Sequence, residues 1–184
     1  MAQYGLIRRL WLTWLSQPVG ERAIYRHVLR SPPKRIMEIG LGTLARTERL
    51  LGLLGSRAGE GAVHYVGLDR FEGRHPTDPP GVSLKQAHRR LHALAHVQLV
   101  PGNTDASLSR LCNHLGVFDL VLISGDNDQR HLDRCWFFIQ RVTNARSTIL
   151  VETAAAGSGG STWKTLEKPR LDELASRMIL RRAG

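Results

Sequence analysis

The sequence predicts an α/β domain whose mostly parallel sheet is doubly wound, meaning that helices cover both of its faces. From residue 35 onward, short apolar runs alternate with segments of helix length, which is typical of parallel strands joined by crossover helices. With 184 residues the chain is long enough for one core and short for two. We therefore predict a single domain over 1–184, with a helical appendage over 1–33, an α/β core over 34–153, and a loop and C-terminal helix over 154–184.

Two helices are predicted in the N-terminal appendage. In the first, Arg8 and Arg9 fall off a face on which apolar side chains recur at helical spacing, namely Tyr4, Ile7, Trp11 and Trp14. The second, over about 20–29, ends before Ser31-Pro32-Pro33, because proline cannot continue a helix. We expect the pair to pack on the core or to cover the active site as a lid. A dimer surface and a membrane-surface anchor are the alternatives.

Five strands are predicted in the core, from the runs "RIMEIGL", "AVHYVGLD", "HVQLVPG", "FDLVLISG" and "STILVET". Helices are expected between them at about 43–54, 83–95, 105–115 and 132–144. Only 31 residues follow Thr153, and they hold one clear helical pattern, "RLDELASRM". We expect any further strand to be missing or reduced to "ILRRAG", and Gly157 to Thr162 to form a flexible loop.

The first strand carries a carboxylate and ends in glycines. Gly40, Gly42 and the following Thr43 allow a tight turn and a close approach of a ligand to the backbone. This glycine spacing alone also fits a dinucleotide site. Glu38 favours a cationic ligand instead, because a diphosphate gains nothing from a buried carboxylate nearby.

Polar residues also end the second and third strands. Asp69 is suited to accept hydrogen bonds from ribose hydroxyls, and the segment continues with Arg70 and Phe71, an aromatic that can cover an adenine face. An ordinary turn aspartate is the alternative. The third strand is followed by Gly102, Asn103 and Thr104, where the Asn103 side chain can cap the next helix or meet an adenine edge.

The fourth strand ends in the polar segment "SGDNDQRH", which includes Ser124, Gly125, Asp126 and His131. Because the carboxyl ends of parallel strands meet at one edge of the sheet, we expect this segment to join the site, although an Asx-rich loop without function is the alternative.

In this order, "EIGLGT", "VGLD", "GNTDASLSRL" and "FDLVLISGD" resemble class I S-adenosylmethionine-dependent methyltransferases, over about residues 34–153. The resemblance implies a Rossmann-like methyltransferase fold and S-adenosylmethionine as the cofactor. Gly40 and Gly42 would line its methionine portion, and Glu38 would contact its ammonium directly or through water. Asp69 would bind the ribose. The residues around the adenine would be Phe71, Asn103 and Thr104.

The sequence departs from this family at its C-terminal end, which we expect to be shortened, and in two further places. Leu44 replaces the third glycine of the first loop, which we expect to narrow the pocket. Metal-dependent members end the fourth strand in Asp and the fifth in Asp-Asn, whereas this chain has Ser124 and then Glu152-Thr153. Asp126 with Glu152 is too sparse a set of oxygen ligands, so we expect no catalytic metal. The series His88, His92 and His96 lacks accompanying ligands and is interpreted as surface histidines.

The resemblance predicts a metal-independent methyltransferase that acts on an oxygen or nitrogen of a small-molecule acceptor. An acidic acceptor would be attracted by the basic side chains of the N-terminal appendage. Asp126 or His131 would remove the acceptor's proton. One alternative is a non-catalytic cofactor-binding or interaction module, favoured by Leu44 and the short C-terminus. A NAD(P)-dependent oxidoreductase is the other, which Glu38 disfavours.

Charge and cysteine content set the remaining expectations. Lys and Arg total 26 against 16 acidic residues, giving +10, but the arginines are spread over the chain, so a nucleic-acid partner is not favoured. Cys112 and Cys135 do not form a disulfide framework, and no apolar stretch approaches a membrane span. We expect a cytoplasmic protein, with a homodimer compatible with the sequence.

Overall fold

The computed structural model describes residues 5–58, 63–155 and 160–183. Six strands in these ranges form one sheet: β1 (Arg35–Ile39), β2 (His64–Asp69), β3 (His96–Pro101), β4 (Leu120–Ile123), β5 (Thr148–Ala154) and β6 (Ser161–Thr165). The helices are α1 (Leu6–Trp14), α2 (Arg22–Arg30), α3 (Ala45–Ala58), α4 (Leu84–Leu91), α5 (Thr104–Leu115), α6 (Gln129–Asp133), α7 (Trp136–Arg141) and α8 (Lys168–Ala183). A short 3₁₀ turn covers Phe71–Gly73.

The sheet has the strand order β3-β2-β1-β4-β5-β6. The first five strands are parallel to their neighbours, and β6 runs antiparallel to β5. The order reverses between β1 and β4, so the loops after these two strands diverge and leave a crevice at their carboxyl ends. The predicted doubly wound, mostly parallel fold is confirmed, and the reversal point is where the predicted site residues converge.

The C-terminal end differs from the expectation. A sixth strand is present, and it lies at Ser161–Thr165 rather than in "ILRRAG", of which residues 179–183 continue α8. Trp163 pairs with Glu152 and is 4% exposed, while Lys164 and Thr165 on the same short strand are exposed. The prediction was wrong because one buried tryptophan in a five-residue edge strand gives almost no periodic signal. Of the predicted Gly157 to Thr162 loop, 157–159 lie outside the described residues.

Two apolar clusters fill the two faces of the sheet. One joins α2, α3 and α4 to the face that carries Ile36 and Tyr65. The other joins α5, α7 and α8 to the face that carries Met37 and Leu68. Because side chains alternate between faces along a strand, Ile36 and Met37 enter opposite clusters. Strands buried on both sides explain the near-continuous apolar runs of the sequence.

The two N-terminal helices differ in how they pack. Helix α2 belongs to the core, since Ile24, Tyr25 and Val28 are fully buried. Helix α1 contributes only Leu12 and Thr13 to the interior. The predicted apolar face of α1 covers neither core nor crevice in the described structure: Ile7, Trp11 and Trp14 are exposed, and Tyr4 lies outside the described residues. No helix in the described ranges is long and apolar enough to cross a membrane.

Candidate functional site

The loop after β1 forms the floor of the crevice. Gly40 and Gly42 both adopt positive φ, at +83° and +58°, a conformation that side chains other than glycine rarely take. A Cβ atom on Gly40 would lie 2.8 Å from Asn127 Nδ2 and 3.0 Å from Ser124 Cβ. Glycine is therefore required at position 40 by both conformation and space. Thr43, which follows this turn, presents its carbonyl oxygen to Arg90 at 3.2 Å.

Leu44 keeps the backbone conformation of a glycine, with φ at 70°. A side chain in this region costs on the order of 1 kcal/mol of strain. The Leu44 side chain is fully buried in the cluster beneath α3, where burial offsets that cost. The expectation that Leu44 narrows the pocket is therefore not met: its side chain packs in the core, away from the residues that line the crevice.

Glu38 lies on the same face of β1 as Ile36 and has no exposed surface. Its carboxylate accepts hydrogen bonds from Arg46 Nε at 2.8 Å, Thr47 Oγ1 at 2.8 Å and Tyr65 Oη at 2.7 Å. Arg46 also donates to the Gly40 carbonyl at 2.8 Å. Glu38 is not among the residues that line the crevice, so the predicted direct contact with a ligand ammonium is not available in this geometry. Instead, Glu38 orients Arg46, and Arg46 holds the glycine turn.

Asp69 anchors the crevice at the end of β2. Its carboxylate accepts from the Leu41 amide at 2.7 Å and the Phe71 amide at 2.9 Å, which fixes the loops after β1 and β2 to each other. Arg74 covers the same carboxylate with two hydrogen bonds, from Nη2 at 2.7 Å and Nε at 3.2 Å. Arg74 could not be predicted as a site residue, because its contact arises from the turn at Phe71–Gly73.

Phe71 does not line the crevice. It adopts a φ of 48°, is 3% exposed, and packs in the cluster beneath α3 and α4. Its neighbour Arg70 lines the crevice instead and pairs with Asp78 at 3.0 Å. The predicted stacking of Phe71 on an adenine is thus not available to this ring, because the left-handed turn directs it into the core.

The segment after β3 supplies polar groups at the crevice wall. Gly102 has a φ of +118° and bonds back to the Asp69 carbonyl at 3.0 Å. Asn103 occupies the N-cap position of α5 but makes no capping hydrogen bond with its side chain. Asn103 and Thr104 both line the crevice. The Asn103 amide therefore remains able to recognise a ligand.

The segment after β4 is fixed by Glu152 of β5. The Glu152 carboxylate accepts from Ser124 Oγ and from the Gly125 amide, each at 3.0 Å. Burial opposes ionisation of Glu152, but Ser161, Gly125 and Arg46 outweigh it, so its pKa lies below the ordinary value. Ser124 and Gly125 thus position the segment rather than line the crevice, whereas exposed Asp126 lines it.

His131 has a carboxylate partner that the sequence did not reveal. Nδ1 of His131 lies 3.0 Å from Oδ1 of Asp105, at ion-pair distance, and Arg134 approaches the other oxygen at 3.6 Å. Burial opposes ionisation of Asp105, but His131, the Ala106 amide and Arg134 outweigh it and lower its pKa. The Asp105 carboxylate therefore lies beside the ring of His131.

Seven of the predicted site residues line one small cavity of about 30 Å³: Gly40, Asp69, Arg70, Asn103, Thr104, Asp126 and His131. Arg74, Asn127 and Asp128 complete it. This volume holds about one water molecule, far below the roughly 300 Å³ that ligand sites need. Two sets of hydrogen bonds narrow the crevice. Arg74 donates to the Asp69 carboxylate. The Asn127 side chain, which lies next to Gly40, donates to the carbonyl oxygens of Ile39 and Ser124.

The histidine series is split by the fold. His88 and His92 stack on α4 with ring centroids 5.7 Å apart, while His96 contacts His64 on the neighbouring strand at 4.8 Å. Within the described ranges no three His, Cys, Asp or Glu side chains are grouped so that they could hold a metal ion.

Comparison with known proteins relates the chain to others by structure alone. No protein-family model matches the sequence, and no curated protein matches it. Solved structures do: the calicheamicin methyltransferase CalS11 has 16% identity and a TM-score of 0.58, with 89% of this chain and 81% of that chain covered. The O-methyltransferase from Bacillus cereus, in complex with SAH, has 16% identity and a TM-score of 0.55, covering 91% and 70%.

A third structure, the SAH-bound methyltransferase PaMTH1 from Podospora anserina, has 15% identity and a TM-score of 0.51, covering 92% of this chain and 70% of that chain. At such identities the likeness concerns the fold. The chain has the Rossmann-like fold of class I S-adenosylmethionine-dependent methyltransferases, as its motifs predict.

Proposed function

We propose that the protein is an S-adenosylmethionine-dependent methyltransferase that acts without a metal on an oxygen or nitrogen of a small-molecule acceptor. The observation that carries the proposal is Asp69, a carboxylate at the end of the second strand that lines one crevice with Gly40 and Asn103. In a sheet of this topology, that position suits the hydroxyls of a ribose. The fold shared with methyltransferases supports the same ligand.

The residues fit the cofactor chemically. Asp69 would accept hydrogen bonds from the ribose, Gly40 and Gly42 would leave room for the methionine portion, and the Asn103 amide would meet the adenine edge. For this, Arg74 must release Asp69 and Asn127 must move from Gly40. S-adenosylmethionine would supply a methyl group on a sulfonium, which is electrophilic without a metal.

His131 is the better placed of the two predicted proton acceptors. It lines the crevice, and its Nδ1 lies 3.0 Å from Oδ1 of Asp105, which leaves Nε2 for the acceptor's proton. Asp126, also at the crevice, has no comparable partner among the contacts described and is retained as the alternative base.

A second cavity, of about 710 Å³, lies beside the His131–Asp105 pair and could hold the acceptor. Its charged lining consists of Arg130 and Arg134 together with Asp105 and Asp133, so it favours neither an acidic nor a basic acceptor. The proposal that the acceptor is acidic therefore rests on the net charge of +10 alone.

Titration calorimetry with S-adenosylhomocysteine and, separately, with NADH tests the proposal. We expect S-adenosylhomocysteine to bind and NADH not to bind. Asp69→Asn should weaken binding by about 1.5 to 3 kcal/mol, the range for hydrogen bonds to a charged group. Asp172→Asn, on α8 and outside the lining of the crevice, is the matched control and should bind like the parent. Binding of NADH alone would instead identify a dinucleotide-dependent oxidoreductase.

A second candidate function is a non-catalytic module of the same fold. The ion pair between Arg74 and Asp69 favours it, because Arg74 already occupies the carboxylate to which the ribose of a cofactor would bind. Failure of S-adenosylhomocysteine to bind, even when Arg74 is removed, would favour this candidate over the methyltransferase.

A further inference from the structure

The outward side of α1 is an unusually apolar surface. Eight large hydrophobic side chains are exposed in the described ranges, and seven of them belong to α1 or the turn that follows it. We define the α1 surface as Leu6, Ile7, Leu10, Trp11, Trp14 and Leu15, which are between 43% and 84% exposed. A contiguous apolar patch of this kind marks an interaction site rather than ordinary surface.

The charges around the α1 surface are almost all positive. Residues 5–31 contain five arginines and a single acidic residue, Glu21. Glu21 is itself engaged by Tyr25 at 2.6 Å and by Arg49 at 3.2 Å. The Arg26 guanidinium carbon lies 6.0 Å from the centroid of the Trp14 ring, so cationic and aromatic groups adjoin. This pattern is complementary to a surface in which an apolar layer lies beneath an outer layer of negative charge.

A basic groove opens beside the α1 surface, between the two N-terminal helices and β6. It measures about 690 Å³, and Trp14, Arg26, His27 and Arg30 contribute to its lining. Trp163 forms part of its wall, and the buried indole nitrogen of Trp163 has no hydrogen-bond partner. The groove thus presents the guanidinium groups of Arg26 and Arg30, which suit a phosphate oxygen.

These features fit an anionic lipid surface better than a second copy of the chain. Helix α1 has nine residues and is roughly 13 Å long, too short to span a bilayer or to bury about 800 Å² per partner by itself. In a dimer formed through the α1 surface, the arginines of one copy would also lie against the arginines of the other, and like charges repel. An amphipathic helix with tryptophans and flanking arginines instead lies in the plane of a membrane interface.

We propose that α1 and α2 dock this protein on an anionic membrane surface. The α1 surface enters the boundary between headgroups and acyl chains, with Trp11 and Trp14 at that boundary. Arg26 and Arg30, at the groove, contact the headgroup phosphates.

Sedimentation with vesicles tests this with the full chain. We expect the protein to bind vesicles of equal parts phosphatidylcholine and phosphatidylglycerol, and to bind pure phosphatidylcholine much more weakly. Ile7→Ser with Trp11→Ser should reduce the partition coefficient about tenfold or more, because two apolar side chains are lost from the interface. Arg26→Gln and Arg30→Gln should each reduce it roughly fivefold, and added salt should act in the same direction.

Val117→Ser is the matched control, since Val117 is the exposed hydrophobic residue that lies away from the N-terminal helices, at 41% exposure. Its vesicle binding should equal that of the parent. Tryptophan emission of the parent should shift to shorter wavelength on anionic vesicles, which reports insertion without any substitution. Equal binding to both vesicle types would overturn the proposal, and so would an unchanged tryptophan emission. A protein that does not bind vesicles but forms a dimer, and loses that dimer on Ile7→Ser with Trp11→Ser, would overturn it as well.

Discussion

At the scale of single residues, the width of the crevice depends on side chains that belong to no recognisable sequence motif. Asp69 and Gly40 could be predicted, because a carboxylate and a glycine at strand ends follow directly from the topology of parallel sheets. Arg74 and Asn127 could not, since their contacts depend on the shape of two loops. The prediction that the Phe71 ring covers an adenine was wrong for the same reason. The conformation of the turn at Phe71, rather than its distance in sequence from Asp69, decides where the ring lies.

Removal of Arg74 should strengthen cofactor binding. Arg74 makes two hydrogen bonds to the carboxylate that a ribose would use, so a ligand must first break them. In Arg74→Ala this competition is absent, and we expect S-adenosylhomocysteine to bind about tenfold more tightly by calorimetry, the equivalent of one such charged hydrogen bond.

Arg89→Ala, an exposed arginine on α4, is the control for the loss of one positive charge and should leave the affinity unchanged. Weaker binding in Arg74→Ala than in the parent would show that Arg74 contributes to the ligand site instead of competing with it.

At the scale of elements, the alternation of apolar runs predicted five strands correctly, because strands buried on both faces give a strong signal. The edge strand β6 was missed because one of its five residues is buried. The amphipathic pattern of α1 was also recognised. A pattern of this kind indicates that a face is apolar but not what covers it, so the exposure of that face could not be predicted.

The pairing of β2 with the edge strand β3 should make the fold sensitive to acid. Burial lowers the pKa of His64, and the neighbouring Arg35 and His96 act in the same direction. The folded state therefore binds fewer protons at His64 than the unfolded state does, so this contribution to stability is complete above about pH 6.5 and is lost as the pH falls below it.

We expect the urea midpoint to fall between pH 7.5 and pH 5.5, and His64→Gln to reduce that fall. His88→Gln, on the exposed face of α4, is the matched control and should keep the parent's pH dependence. An identical fall in the His64→Gln variant would assign the acid sensitivity to other groups.

At the scale of the whole molecule, the N-terminal segment reaches the carboxyl edge of the sheet through β6. Gly20 forms a bridge with Thr162, and Ser161 donates to Glu152 at 2.5 Å. Glu152 in turn holds Ser124 and Gly125 after β4. These contacts join segments that are far apart in sequence, and local sequence patterns do not report such contacts.

Gly20→Ala should destabilise the fold at these contacts. A Cβ atom on Gly20 would lie 2.1 Å from the Ser161 carbonyl oxygen, so the N-terminal segment or β6 must shift. Overpacking of this kind costs about 1 to 3 kcal/mol in the free energy of unfolding, measurable by urea denaturation. Gly5→Ala is the matched control, because nothing lies within 4 Å of its Cβ position, and it should change stability by less than about 0.5 kcal/mol. Equal stability of the two variants would mean that the contact between Gly20 and β6 contributes nothing to the fold, and that α2 alone anchors the N-terminal segment.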